Sequence, residues 1–229
     1  MTGAPHRHFD DELTQLKDRL LQMSAAVQEA VDRSVGAVLQ RDREVAARVV
    51  AEDPAIDALE TEIEETVTNL LALHQPMARD LRLLLASLKI SNDLERVGDH
   101  AVNISVCAER LTDYRMIAPE PELIEMGRLA REMLAQSIDA FVRRDSESGR
   151  AVCRRDDQVD ALHRSMFRIL ITHMAEDPHT IGAAMELFLV SRNLERVADL
   201  ATNIAEDVVF LVEGKSIKHG AEMRAPKED

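Results

Sequence analysis

The sequence predicts an all-α protein built as two tandem three-helix bundles with six long antiparallel helices. Apolar residues recur every three or four positions over long segments, as in amphipathic helices. Aromatic residues make up only 3% of the chain and Trp is absent, so aliphatic side chains and Met must form the core, which favours packed helices over sheets. One motif occurs twice: residues 92–104 read NDLERVGDHAVNI and residues 192–204 read RNLERVADLATNI, an offset of 100 residues.

Three helices are predicted in the first half. The first runs from about Phe9 to Gln40 and the second from about Asp42 to Leu73, with Pro54 expected to kink the second. The third begins after Gln75-Pro76, because proline fits the first turn of a helix, and ends near Leu111. The turns between them are very short, so neighbouring helices must be antiparallel.

The second half repeats this plan after a segment without periodicity, residues 112–121, which contains two prolines. Arg144-Asp145 mirrors Arg41-Asp42 at an offset of 103 residues, and Gly214 is expected to end the last helix. These features predict a first bundle over residues 1–115, a second bundle over residues 116–214, and a polar, disordered tail over residues 215–229.

Composition limits the partners and the compartment. The net charge of −14 argues against a nucleic-acid partner and favours cations or basic protein surfaces. No apolar run reaches membrane-spanning length, and Cys107 and Cys153 lack paired spacing, so we expect a cytoplasmic protein with free thiols. A basic flank, which is either a partner patch or a solvated face, is formed by Arg143, Arg144, Arg154 and Arg155.

The repeated motif carries a row of polar side chains. Glu95, Asp99 and Asn103 are spaced four residues apart and therefore share one helix face. This face is either solvated, with Arg96 as a local ion-pair partner, or functional. The second copy keeps the same three residue types while His100 is replaced by leucine, which favours a functional face.

A second acidic pair is also duplicated. Asp53 and Asp57 are again four residues apart, and Asp156 and Asp160 repeat them. An antiparallel bundle can bring each pair beside the carboxylates of the repeated motif, where close charges repel by on the order of a few kcal/mol unless a cation or basic partner intervenes. Oxygen ligands suit Mg²⁺, Mn²⁺, Ca²⁺ or iron, and the sequence does not choose among them.

Other chemistry finds little support in the sequence. A ferritin-like di-iron site needs Glu-x-x-His pairs on facing helices, and the nearest candidate, Glu176-x-x-His179, straddles Pro178. The remaining histidines form no set with ligand spacing. The sequence contains neither a nucleotide-binding glycine loop of the G-x-x-x-x-G-K-[ST] type nor a G-x-S-x-G nucleophile motif.

Several motifs together resemble the PhoU family of phosphate-uptake regulators, over nearly the whole chain. They are residues 53–60 (DPAIDALE), 74–82 (HQPMARDLR) and 95–104 (ERVGDHAVNI), with second copies at residues 155–160 (RDDQVD) and 193–199 (NLERVAD). The resemblance implies two bundles that hold iron or divalent ions, with Fe, Zn, Mn and Mg as candidates. Carried over position by position, the implied metal ligands are Asp53, Asp57, Glu95 and Asp99 in the first half and Asp156, Asp160, Glu195 and Asp199 in the second. The chain departs from the pattern at Leu200 and at Asp177-Pro178, which leaves the full ligand set of the second site open.

The resemblance also implies a function without catalysis. Proteins of this family damp the phosphate-starvation response, bridging a sensor histidine kinase and the ATPase subunit of the phosphate ABC transporter. We therefore expect a cytoplasmic negative regulator and metal-binding adaptor, and a homodimer. The alternatives are a metal-dependent or metal-storing helical bundle with no role in phosphate signalling, and a purely structural scaffold.

Overall fold

The computed structural model describes residues 4–115, 117 and 120–217, and all regular structure in these ranges is helical. The α-helices are α1 (Ala4–Gln40), α2 (Arg43–Glu52), α3 (Pro54–His74), α4 (Ala78–Leu111), α5 (Pro121–Arg143), α6 (Ser146–Cys153), α7 (Asp156–Glu176) and α8 (Ile181–Glu213). A 3₁₀ turn, Pro178–Thr180, precedes α8. The predicted all-α fold is confirmed. Within the described ranges, no helix is both long enough and apolar enough to cross a membrane.

Both halves pack in the same way. In the first half α1, α3 and α4 pack against one another, with α2 lying on α1 and α4. In the second half α5, α7 and α8 do the same, with α6 on α5 and α8. The largest fully buried side chains are aliphatic or Met, as the low aromatic content requires: Leu16, Met23, Ile63, Leu70, Leu84, Ile90, Leu94, Ile104, Met126, Met133, Leu134 and Met166.

The predicted second helix of each half is divided into two. α2 ends at Glu52 and α3 begins at Pro54, while Asp53 between them keeps helical backbone angles (φ −54°, ψ −40°). Pro54 has no N–H and cannot continue the hydrogen-bond ladder, so the helix predicted from Asp42 to Leu73 is interrupted where the kink was expected. α6 and α7 are divided at Arg154 and Arg155 without a proline, a break that the sequence did not reveal.

The turn before each of these divided segments is also repeated. Arg41 and Arg144 both adopt the left-handed conformation, with φ of 54° at each residue. Asp42 and Asp145 then act as N-caps, each accepting hydrogen bonds from two backbone N–H groups at the start of the next helix. The correspondence seen in the sequence between Arg41-Asp42 and Arg144-Asp145 is therefore a correspondence of turn structure.

The two halves meet mainly where α4 packs against α8. Lys89 contacts the buried carboxylate of Asp207 at 3.3 Å, and Arg110 contacts the carboxylate of Glu186 at 3.7 Å. Because the lower-numbered residue of α4 pairs with the higher-numbered residue of α8, the two helices run antiparallel. A smaller contact joins α1 and α5.

The segment between the halves is partly described. The Tyr114 ring lies against the first turn of α8, where a Cβ added to Gly182 would come within 2.2 Å of it. Gly214 ends α8 with a positive φ of 71°, as predicted. The predicted boundary beside Met116 and most of the predicted tail, residues 218–229, lie outside the described residues, so the two domain ranges remain a prediction.

Candidate metal centres

The first carboxylate cluster (Asp53, Asp57, Glu95 and Asp99) joins the α2–α3 break to the middle of α4. Burial raises the pKa of Asp53, and the charges of Asp57 and Asp99 raise it further. Burial also raises the pKa of Glu95, followed by the charges of Asp99, Glu60, Asp57 and Asp53. The predicted residues are thus electrostatic neighbours, and Glu60, which the sequence did not single out, lies among them.

The close packing of α3 on α4 helps to assemble this cluster. A Cβ added to Gly98 would lie 3.3 Å from Cδ1 of Ile56 and 3.4 Å from Oδ1 of Asp53. The glycine therefore lets Ile56 pack tightly against the α4 backbone, with the Asp53 carboxylate beside it. Arg96, the expected ion-pair partner of the acidic row, contacts Asp93 at 3.5 Å and, within the described residues, does not pair with Glu95 or Asp99.

The second carboxylate cluster (Asp156, Asp160, Glu195 and Asp199) joins the start of α7 to the middle of α8. Burial raises the pKa of Asp156 to about 6, together with the charges of Asp199, Asp160 and Asp157 and against a weak hydrogen bond from Thr202. Burial likewise raises the pKa of Glu195, with Asp199 as the largest charge contribution. Both predicted sets therefore converge in the folded chain.

The second cluster differs from the first in its neighbours. Arg196 donates a hydrogen bond from Nη1 to Asp199 at 2.8 Å, and its Nε lies 3.4 Å from Glu195, so part of the negative charge is compensated by the protein itself. Ala198 stands where the first half has Gly98. The two sites are thus similar in their carboxylates and unequal in their surroundings.

Neither cluster forms a closed ligand shell. Among the described residues, no three or more His, Cys, Asp and Glu side chains are arranged to hold one metal ion. Binding a cation would require the carboxylates to turn toward it. The donor chemistry nonetheless fits a hard cation, because every predicted ligand is a carboxylate and a positive charge would relieve the repulsion that adds to burial in raising the pKa of Asp53 and Asp156.

The histidines make specific contacts outside the predicted ligand sets. His74 lies 3.1 Å from Glu12, and His173 lies 2.8 Å from Glu120, so each half has a histidine near the end of its second long segment that contacts a glutamate. Nδ1 of His100 lies 2.9 Å from Oδ1 of Asn193 across the junction of the two halves. His100 also lines a cavity that includes Asp156 and Asp199, so it faces the second cluster although it belongs to the first copy of the motif.

The cysteines are free thiols, as predicted. Cys107 is buried and Cys153 is half-buried. Burial raises the pKa of Cys107 to about 12 and that of Cys153 to about 11, so both remain protonated at neutral pH.

Known proteins and one family model match this chain over most of its length. Residues 20–108 and 123–208 each match the PhoU domain. The "Phosphate-specific transport system accessory protein PhoU homolog" of Caulobacter vibrioides is 39% identical over 218 residues, covering 95% of each chain. Its namesake from Zymomonas mobilis is 38% identical over 215 residues, covering 94% of this chain and 91% of the relative.

Solved structures give the same result. The crystal structure of PhoU from Pseudomonas aeruginosa has a TM-score of 0.87 and 34% identity, covering 90% of this chain and all of that one. The phosphate transport system regulatory protein PhoU from Streptococcus pneumoniae has a TM-score of 0.85 and 30% identity, covering 92% of this chain and 99% of that one. The chain belongs to the PhoU family.

Proposed function

We propose that this chain is an accessory protein of phosphate transport that represses the phosphate-starvation response when phosphate is plentiful. The names of its relatives, which describe accessory and regulatory proteins of phosphate transport, support this role. The observation that carries the proposal within this chain is the convergence of both duplicated acidic pairs into two carboxylate clusters. The role is non-enzymatic and cytoplasmic.

Each carboxylate cluster binds a metal ion in this proposal. The ligands are drawn from Asp53, Asp57, Glu95 and Asp99 in the first half and from Asp156, Asp160, Glu195 and Asp199 in the second. A bound iron, manganese, magnesium or zinc ion would supply positive charge and link the helices that carry the carboxylates. The protein would thereby present two rigid, charge-compensated faces to its partners.

The partners in this proposal are the sensor histidine kinase and the ATPase subunit of the phosphate ABC transporter. Exposed apolar residues at equivalent positions of α4 and α8 support an adaptor with a surface for each: Leu81 and Leu85 on α4, and Ile181 and Met185 on α8. Each of these side chains is at least 36% exposed. The same surfaces are available for a homodimer, which sedimentation velocity of the purified chain tests.

The regulatory role is tested in the source strain. Deletion of the gene should raise alkaline phosphatase output in phosphate-rich medium, and the wild-type gene should restore repression. A variant with Glu95→Gln, Asp99→Asn, Glu195→Gln and Asp199→Asn should fold but fail to repress. A charge-matched control changes exposed carboxylates away from the clusters, with Asp11→Asn, Asp18→Asn, Glu65→Gln and Glu176→Gln, and should repress normally.

Metal binding by the purified proteins separates the alternatives. Calorimetric titration with Mn²⁺ or Mg²⁺ should show binding by the wild type and the control and not by the cluster variant. Binding without any effect of the deletion on phosphatase output would favour a metal-storing bundle with no role in phosphate signalling. Repression by the cluster variant equal to that of the wild type would show that the carboxylates are not needed for regulation.

A further inference from the structure

An open groove runs along the junction of α4 and α8, with a volume of about 530 Å³. Its lining contains four arginines and no carboxylate among the described residues. The polar groups used in the following argument are Arg96, His100 and Arg110 on α4 and Arg192, Asn193 and Arg196 on α8. In a chain with a net charge of −14, this concentration of positive charge is a local exception.

Three of the four guanidinium groups keep donors for a ligand. Arg192 is exposed and, within the described residues, makes no hydrogen bond or ion pair. Arg96 lies 3.5 Å from Asp93 and Arg110 lies 3.7 Å from Glu186, and both arginine side chains are more than half exposed, at 52% and 59%. Each contact joins one Nη1 atom to a buried carboxylate, at 3.5 and 3.7 Å, so the other N–H donors of both guanidinium groups remain available to a ligand. Arg196 is held by Asp199 and is the least available.

The groove is not a by-product of the duplication. Under the offset of 100 residues, Arg192 corresponds to Asn92 and Arg110 to Phe210, so two of the positive charges occur on this side of the junction alone. Asn193 corresponds to Asp93, and the apolar lining residues Val106 and Cys107 correspond to Glu206 and Asp207. The equivalent positions on the other side of the junction carry three carboxylates beside three basic side chains, so a net positive lining occurs in the groove and not at its counterpart.

The charge distribution also fixes where in the groove an anion would lie. A smaller cavity of about 280 Å³ shares Arg96, His100 and Arg196 with the groove and extends to the carboxylates of Asp156 and Asp199. These carboxylates repel an anion from that end. The hydrogen-bonded contact between His100 and Asn193 joins the two walls, and Arg110 and Arg192 line the part of the groove that the smaller cavity does not share.

We propose that this groove binds a small phosphate-bearing anion, with Arg110 and Arg192 as its main ligands and Arg96 at the edge of the site. Guanidinium groups match phosphate oxygens with paired N–H donors, and groups from two helices surround a multiply charged anion better than a monovalent one. The volume accommodates inorganic phosphate and also a short polyphosphate or a nucleotide. Anion binding by the groove does not depend on the proposed function. A regulatory role for the bound anion does rest on the proposed function.

The test is calorimetric titration of the purified full-length chain in a buffer free of phosphate and sulfate. Inorganic phosphate, pyrophosphate and ATP are titrated separately, with chloride and sulfate at equal ionic strength as competitors. We expect one phosphate-bearing ligand per chain. In the double variant Arg110→Gln/Arg192→Gln, the affinity should fall by roughly tenfold or more per arginine, because charged hydrogen bonds to the ligand are lost.

A matched control removes two exposed arginines elsewhere, with Arg48→Gln and Arg168→Gln, and so changes the net charge equally. Its affinity should stay within about twofold of the wild type, and circular dichroism should show that both variants are folded. Binding of pyrophosphate or ATP without inorganic phosphate would support the groove and identify a polyphosphate ligand.

Three results would overturn the proposal. They are the absence of binding by all three ligands at millimolar concentration, equal weakening in the control variant, and binding that disappears after chelation of divalent metals, which would put the anion on a metal ion. The titrations use purified protein alone, so they stand apart from the phosphatase assay. If deletion of the gene raises phosphatase output but the purified chain binds none of the three ligands, the groove proposal has failed. If the chain binds a ligand but the deletion leaves phosphatase output unchanged, the proposed regulatory function has failed.

Discussion

Replacing Asp156 by Asn should stabilise the metal-free protein. Burial and the neighbouring carboxylates raise the pKa of Asp156 from 3.8 to about 6. That rise corresponds to roughly 3 kcal/mol of penalty on the ionised form. Asp156 is only half-buried, so solvent screening reduces the expected gain for the variant to about 1–2 kcal/mol at neutral pH.

The sign of the pH dependence follows from the direction of the shift. Between about pH 4 and pH 6 the folded protein holds a proton on Asp156 that the unfolded chain has lost, so stability decreases as the pH rises through this window. Above about pH 6 Asp156 is ionised in the folded protein as well, and the loss of stability reaches its full value. Asp156→Asn removes it, so the gain over wild type should be small near pH 4 and full near pH 7.5.

Thermal unfolding in EDTA measures the effect at both pH values. A gain of about 1–2 kcal/mol corresponds to a rise in Tm of roughly 2–8 °C for a chain of this size. Asp18→Asn, at an exposed position of α1 away from both clusters, is the control and should change stability by less than about 0.5 kcal/mol. A variant that is less stable than wild type near pH 7.5, or equally shifted at both pH values, would refute the inferred repulsion.

Three further predictions concern the scaffold. Asp42→Ala should cost about 1 kcal/mol in urea unfolding, because two backbone N–H groups at the start of α2 lose their cap. Gly182→Ala should displace the Tyr114 ring, and since Tyr114 is the only tyrosine and Trp is absent, acrylamide quenching of intrinsic fluorescence should increase. Lys89→Met should destabilise the chain by roughly 1–3 kcal/mol, because the buried Asp207 carboxylate loses a positive partner.

Each of these changes has a matched control in the chain. Asp18→Ala removes an exposed aspartate without a cap, Gly36→Ala adds a methyl group where no atom lies within 4 Å, and Lys215→Met removes an exposed lysine after α8. Effects as large in the controls would contradict the local explanations. Unchanged quenching in Gly182→Ala would contradict the packing of Tyr114 on α8.

The parts of the structure that depend on local spacing could be predicted from the sequence. Helix-period patterns located α1, α4, α5 and α8, and the four-residue spacing of carboxylates together with their duplication located both clusters. A proline marked the break at Asp53, whereas the break at Arg154 has no comparable residue and depends on tertiary packing.

The contacts between the two halves could not be predicted, because periodicity does not say which helix faces which. His100 lies in the first copy of the motif, yet it lines a cavity with carboxylates of the second cluster because α4 packs against α8. The arginine flank visible in the sequence is largely paired, with Arg143 on Asp139, Arg154 on Glu147 and Arg155 on Glu132. The arginines of the groove are scattered in the sequence, and only the fold brings them together.

The polar contacts between α4 and α8 have a consequence for how the duplicated chain assembles. Under the offset of 100 residues, the pair Lys89–Asp207 corresponds to Leu189 and Cys107, and the pair Arg110–Glu186 corresponds to Phe210 and Ala86. Neither ion pair is therefore repeated. If two identical halves packed in this arrangement, each ion pair would lose either its cation or its carboxylate, because one half carries only one of the two charges. The two halves of the chain therefore pair like the subunits of a heterodimer. Because the charged residues diverged after the duplication, each half is complementary to the other half and less complementary to a second copy of itself.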